Sequence, residues 1–309
     1  MCRICTDPLE QLLLELTRLD CSRCPDLTAI PPQLVKLQHL YCYSCPLLVS
    51  IPDTLVDLTV LHCHSCPRLM SIPDTLVNLT VLHCYDCTAL ASIPGTLVRL
   101  RLLFCDRCPL PSLPDTLTGL TELDCGGCPL LTSIPATFVN LSAMRCYECP
   151  LLALLPDTLV NLRVLYCSAC PLLICIPDTL VRLTGLYCRD CPRLTSIPST
   201  GTELVGLECV NCPLLLSIPL RRASKSWLMC AGCPWLPQNV RSYPNHLPSL
   251  LRLQRWFRTG RKQTFKRFIR TRAFNEWIFH PDRIGGKAVK MQMEVELGAM
   301  RPAKQQRVE

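Results

Sequence analysis

The chain has 309 residues, of which 49% are hydrophobic and 6% aromatic, with 28 Pro, 25 Cys and 12 Gly. That much apolar content excludes an intrinsically disordered chain, and so little glycine excludes a collagen-like one. The net charge of +8 is unevenly placed: residues 1–233 carry 16 Lys and Arg against 19 Asp and Glu, whereas residues 234–309 carry 16 against 5 and hold nine of the 18 aromatic residues.

At the start, Arg3, Asp7, Glu10 and Glu15 break up the apolar core that a secretory signal needs. Elsewhere Pro and Asp cut every apolar stretch before the ~18 residues that would cross a bilayer. The expectation is a protein that is not secreted, has no membrane span and stays in the cytoplasm, where thiols remain reduced.

Cysteine pairs spaced C-x-x-C then punctuate the chain, beginning at Cys2, Cys21, Cys42, Cys63, Cys84, Cys105, Cys125, Cys146, Cys167, Cys188, Cys209 and Cys230. The step is 21 residues, except 19 at the first and 20 between Cys105 and Cys125, and only Cys175 stands outside the pairs. Around each pair the wording recurs, so that Ser50 to Pro67 returns almost unchanged as Ser71 to Thr88. A fixed short period of this kind is the signature of a stacked repeat array.

Within one unit, Leu61 and Cys63 alternate with Val60, His62 and His64, which predicts a short strand with the first two inside and the others outside. Cys66 is expected to turn inward as the strand ends, and Pro67, lacking an N–H, to stop the ladder. On the return side Ile51, Leu55 and Leu58 face inward from an extended or single-turn segment. No unit can bury its apolar side chains alone, so the units must stack. Leu9 to Leu19 forms an incomplete first unit. Gly201, Arg222 and Lys225 in place of inward leucines mark a decaying C-terminal edge.

Leu58, Leu61, Cys63, Cys66 and Leu69 spell L-x-x-L-x-C-x-x-C-x-x-L, which resembles the leucine-rich-repeat signature over roughly residues 9–233. The resemblance implies a leucine-rich-repeat solenoid: one short parallel β-strand per ~21-residue repeat, an extended or short-helical convex side, and a small α-helical C-terminal segment. The expected division is an array of about 11 to 12 units over 1–233, degenerate at both ends. A basic, aromatic helical tail over 234–309 would follow it, with its last residues disordered. Both cysteines of each pair fall at interior positions, where free Cys behaves as a small hydrophobe. The alternatives are a zinc-binding, cysteine-rich protein, since C-x-x-C is also zinc-ligand spacing, or disulfides.

The strand positions facing outward on the concave sheet form a surface. Tyr41, Tyr43, His62, His64, His83, Tyr85 and Phe104 lie there in one contiguous patch over four coils, a composition suited to protein recognition. The three histidines also raise a metal site as an alternative. No nucleophile–base set or phosphate-binding loop is visible, so neither catalytic residues nor a cofactor is expected.

From Leu247 to His280 the period becomes helical: Leu250, Leu253, Trp256 and Phe257, then after Gly260, Phe265, Phe268 and Ile269. Two short amphipathic helices are expected, with Arg255, Arg258, Lys262, Lys266, Arg267 and Arg270 on their polar sides. They cap the array, contact nucleic acid or an acidic surface, or bind a calmodulin-like partner.

The Ser-Ile-Pro-Asp-Thr-Leu-Val unit joined to Leu253-Gln254-Arg255-Trp256-Phe257, Arg272-Ala273-Phe274-Asn275-Glu276-Trp277 and His280-Pro281-Asp282 is similar to leucine-rich-repeat proteins of large DNA viruses of amoebae, the marseillevirus group. That resemblance implies a viral protein acting in host cytoplasm or carried in virions, with a partner that includes host proteins. The Ile-Pro-x-x-Leu segment is also similar to bacterial effector repeats. The ubiquitin-ligase extension some of those carry needs a catalytic cysteine, and no cysteine follows Cys233. The functional expectation is a non-enzymatic scaffold that binds a protein partner on its concave sheet.

Overall fold

A computed structural model describes residues 15–198, 204–215, 227–230 and 233. The strand predicted in each unit is present as three residues: β1 Arg18–Asp20, β2 His39–Tyr41, β3 Val60–His62, β4 Val81–His83, β5 Leu102–Phe104 and β6 Glu122–Asp124. They continue as β7 Ala143–Arg145, β8 Val164–Tyr166, β9 Gly185–Tyr187, β10 Gly206–Glu208 and β11 Trp227–Met229. All eleven form one sheet in chain order, every pair parallel, so each turn of chain adds one strand to the edge of the last. Equivalent residues pair: Leu40 faces Leu61, Leu61 faces Leu82, Tyr41 faces His62, and His62 faces His83.

Burial alternates as the sequence predicts. Leu61 and Cys63 are buried while Val60, His62 and His64 are partly exposed, and Ile51, Leu55 and Leu58 close the core from the return side. The return side is built of tight turns, closed by bonds such as Leu58 N–H to Leu55 C=O (3.1 Å) and Leu37 N–H to Leu34 C=O (3.1 Å). Six successive turns are each stitched there to the one before by a threonine hydroxyl, from Thr54 to Thr158, as in Thr75 donating to Asp53 C=O (2.6 Å) and Thr96 to Asp74 C=O (2.6 Å). The short turn between Cys105 and Cys125 keeps this order by losing its residue beyond Cys108. Leu110 and Leu113 remain buried, and β5 pairs with β6 in full register. Among the described residues no helix is long and apolar enough to cross a membrane.

The strands end for a reason the sequence reading misplaced. Cys87 is followed by Thr88 rather than proline, yet β4 stops at the same point as its neighbours. What recurs is a left-handed residue just before the second cysteine: Arg23, Ser44, Ser65, Asp86, Arg107, Glu148, Ala169, Asp190 and Asn211 have φ of 52–57°, and Gly127 has 64°. One such residue rotates the chain out of the extended conformation and swings the following cysteine inward. The proline lies beyond a corner already turned.

Both cysteine columns are buried, as expected for interior filling, and the 23 described cysteines are free thiols, with Cys175 alone partly exposed. The second column also bonds. Cys66 Sγ donates to Cys42 C=O (3.2 Å), Cys87 to Cys63 C=O (3.1 Å), Cys170 to Cys146 C=O (3.0 Å), and the same bond repeats from Cys45 to Cys233. Each thiol thus meets a carbonyl just past the strand end of the preceding turn. Burial pushes the thiols of Cys42, Cys125, Cys146 and Cys167 well above the ordinary range. Cys128 and Cys233 shift down, through their contacts with the Cys105 and Cys209 thiols. In the donating column burial raises the thiols of Cys149 and Cys170 to about 12, which holds them as S–H, the form that can donate, rather than as the thiolate that metal ligation and nucleophilic attack require. Among the described residues no three His, Cys, Asp or Glu side chains are grouped to hold a metal ion.

Two outcomes follow for stability. Cys87→Ala removes the donor for Cys63 C=O and leaves a small void, so denaturant unfolding should show a loss of about 1–3 kcal/mol. Ser65→Val forces a β-branched side chain into the left-handed corner and should cost about 1–2 kcal/mol, whereas Ser65→Gly should leave the midpoint within about 1 kcal/mol of the parent.

Candidate functional site on the concave sheet

In a parallel sheet with equivalent residues in register, side chains at one position stand about 4.8 Å apart in a row. That spacing nearly matches the stacking distance of flat rings, so a column of planar residues stacks with little adjustment. Two rows run across the concave face. The first lies just before the inward cysteine and reads Asp20, Tyr41, His62, His83, Phe104, Asp124, Arg145, Tyr166, Tyr187, Glu208. The second lies just after it and reads Ser22, Tyr43, His64, Tyr85, Asp106, Gly126, Tyr147, Ser168, Arg189, Val210.

All seven residues of the predicted patch come together in these rows. In the first, Tyr41 meets His62 edge-on (4.9 Å between centroids), His62 stacks on His83 (4.0 Å, 11° between planes), and His83 tilts against Phe104 (4.4 Å). In the second, Tyr43 stacks on His64 (4.6 Å, 8°) and His64 on Tyr85 (4.1 Å, 10°). Ring pairs of this kind contribute about 0.5–1.5 kcal/mol each beyond their buried area, and they hold the surface rigid before any partner arrives.

Several participants were not singled out from the sequence. Arg18 lies over the Tyr41 ring (4.9 Å) and Arg23 over Tyr43 (5.7 Å), so the first ring of each stack carries a cation on its face. At the other end, Phe104 pairs with Asp124 across β5 and β6, and Asp106 follows Tyr85. A second stack, Tyr166 on Tyr187 (4.3 Å, 5°), begins with Arg145 over Tyr166 (5.5 Å). Reading the column at its 21-residue step would have found the Tyr166–Tyr187 pair. Arg18 and Arg23 belong to neither row and reach their rings from other positions, which spacing does not reveal.

The electrostatics favour neutral rings. Burial lowers the imidazolium pKa of His62 and His64, and for His83 burial together with His62 and His64 lowers it to about 4. Lone pairs of stacked imidazoles lie in parallel ring planes, so those of His62 and His83 run side by side rather than converge on one ion. The tail cations Arg255, Arg258, Lys262, Lys266, Arg267 and Arg270, and the two helices proposed to carry them, lie outside the described residues, as do Gly201, Arg222 and Lys225.

Against known proteins, a family model described as Leucine Rich Repeat matches residues 119–141, the turn that contains β6 and the approach to β7. The fold is a leucine-rich-repeat solenoid. Similar solved structures include the functional domain of InlJ from Listeria monocytogenes, which includes a cysteine ladder. It is 20% identical, covering 72% of this chain and 69% of that one, with a TM-score of 0.42. A leucine-rich-repeat protein of Leptospira interrogans is 19% identical over 70% of this chain and 64% of its own, with a TM-score of 0.48. The leucine-rich-repeat domain of the type III effector XopL is 22% identical over 62% of this chain and 67% of its own, with a TM-score of 0.44. No curated protein matches the sequence.

The depressed imidazoles predict a pH response. A histidine whose folded pKa is about 4 binds fewer protons than in the unfolded chain, so its stabilising contribution is full above about 6.5 and lost as pH falls through about 4. Asp106 acts oppositely: its carboxyl is raised to about 6, so its contribution is full below about 3.8 and lost as pH rises through about 6. Thermal unfolding between pH 7 and 4 should therefore fall more steeply for the parent than for His83→Phe, and more steeply still for Asp106→Asn.

Proposed function

We propose that this protein is a non-enzymatic scaffold that captures a protein partner on its concave sheet, anchored by Tyr41, Tyr43, His62, His64, His83, Tyr85 and Phe104. The observation that carries this reading is the pair of ring stacks extending over four adjacent turns, fixed by strand register rather than by flexible loops. Rigid amphipathic rings give contact area at low entropic cost, which is why aromatic anchors dominate binding energy at protein interfaces. Leucine-rich-repeat folds commonly serve as interaction scaffolds, and the free thiols throughout this array suit a reducing compartment such as the cytoplasm. A host protein contacted by a viral one fits the resemblance noted in the sequence.

A second reading is favoured by a separate observation, the 16 Lys and Arg against 5 Asp and Glu in residues 234–309. Such a segment binds polyanions, and Arg255, Arg258, Lys262, Lys266, Arg267 and Arg270 would contact nucleic acid or an acidic surface. The two readings employ different parts of the chain.

Replacing Tyr41, Tyr43, His62 and Tyr85 together by Ala should weaken capture of the partner by tenfold or more, about 1.4 kcal/mol at the least, while circular dichroism retains the parent strand signal. Undiminished capture by a folded variant defeats the concave-face reading. Full-length protein that binds duplex DNA with a steep salt dependence, abolished by changing the six tail cations to Gln, would support the second.

A further inference from the structure

Both aromatic rows stop at a carboxylate. Asp106 is 8% exposed and Asp124 is 8% exposed, on neighbouring turns and neighbouring rows, beside Tyr85 and Phe104 respectively. Carboxylates so covered are ordinarily matched by a cation, since an unmatched buried charge is costly. Arg145 lies at the edge of reach of Asp124 (3.9 Å) and is also engaged over the Tyr166 ring. One Asp124 oxygen accepts from Gly126 N–H (3.2 Å). Asp106 forms no ion pair among the described residues. Arg107, whose charge acts on it, is held in a two-point pair with Asp86 (2.9 and 3.1 Å).

The turn that follows is shaped around this carboxylate. A Cβ on Gly126 would lie 2.5 Å from Cε1 and Cζ of Tyr147, so only glycine lets that ring fold back one turn towards Asp106. The Tyr147 phenol then feels both carboxylates, while Tyr85, next to Asp106 in its row, feels that of Asp106. Burial first raises both phenols; the Asp106 and Asp86 charges then raise Tyr85 further, and the Asp124 and Asp106 charges raise Tyr147. Burial, reinforced by Asp124, raises the Asp106 carboxyl to about 6. Acid at the base and aromatic rings at the sides is the chemistry that recognises an ammonium or guanidinium group.

We propose that Asp106 and Asp124, flanked by Tyr85 and Tyr147, bind one cationic side chain, Lys or Arg, of the protein that docks on the concave face. This rests on the concave-face reading above and specifies the partner's chemistry: an aromatic-contacting stretch over β2 to β5, followed by a basic residue at the turn of β6.

The test is selection of displayed random peptides on the full-length protein, on Asp106→Asn, and on Tyr41→Ala/Tyr43→Ala. Asn keeps the shape and removes a buried charge, so this variant should fold with a raised unfolding temperature. The parent should enrich peptides with Lys or Arg at one recurring position. Those peptides should bind Asp106→Asn tenfold or more weakly, about 1.4 kcal/mol, and should shift the Asp106 carboxyl titration, followed by carbon NMR, below its free value of about 6. Peptides that lack a basic preference, that bind Asp106→Asn as tightly as the parent, or that leave the Asp106 titration in place overturn the proposal. In that event, loss of the same peptides by Tyr41→Ala/Tyr43→Ala keeps the concave-face reading standing, and their retention removes both. Failure of the parent to enrich any peptide also overturns it.

Discussion

The bond from each inward thiol to a carbonyl one turn earlier keeps successive coils in phase, and every other regularity of the molecule depends on that phase. A cysteine side chain is short, so its sulfur reaches the Cys42-type carbonyl only if the left-handed corner before it has turned the chain by the right amount. Corner, thiol and carbonyl therefore act together at nine successive seams among the described residues, from Cys45 to Cys212. A thiol is a weak donor, and a single such bond adds little. Its weight comes from repetition in a fold where each unit touches only its neighbours, so a fault at one seam is felt as a break in the array.

The same phase organises the surface. Once strands are in register, a residue type repeated at one position becomes a row, and rows of rings stack without any loop to hold them. Placement along the row then sets the character of the face. Cations lie over the first rings, neutral imidazoles occupy the middle, and carboxylates end the run at β5 and β6. Among the described residues the one departure from the 21-residue step falls at this acidic end, between Cys105 and Cys125, and Gly126 follows immediately. Regular turns build the aromatic surface, and the irregular one is where a row gives way to a carboxylate and a folded-back tyrosine.

Much of this was legible in the amino acids. Period two within the strand and period 21 along the chain fixed which of Leu61, His62 and Cys63 face inward, and the patch from Tyr41 to Phe104 followed from columns alone. The strand-ending corner was not legible, because nine of its ten residues are not glycine and share no chemistry: Arg23, Ser65, Ala169 and Asn211 adopt the same φ. There the ladder dictates the backbone and local preference is overridden. The thiol bond was likewise hidden, since a cysteine that fills space and one that donates look identical in sequence. Asp106 could be placed on the concave face from its position, but the ring of Tyr147, 41 residues along the chain, lying over Gly126 could not be read from spacing.

The backward reach of the thiol ladder bears on how such a chain can change length. Every seam joins the same atoms, so loss or duplication of one complete turn recreates an ordinary seam at the cut. Recombination between near-identical units such as 50–67 and 71–88 would thus yield folded proteins with fewer or more coils. What it would alter is the pattern written across the coils: a turn lost between Tyr41 and Phe104 shortens the ring stacks, while one lost beyond Tyr187 leaves them whole. The array can evolve its recognition face by whole-coil editing without renegotiating its core.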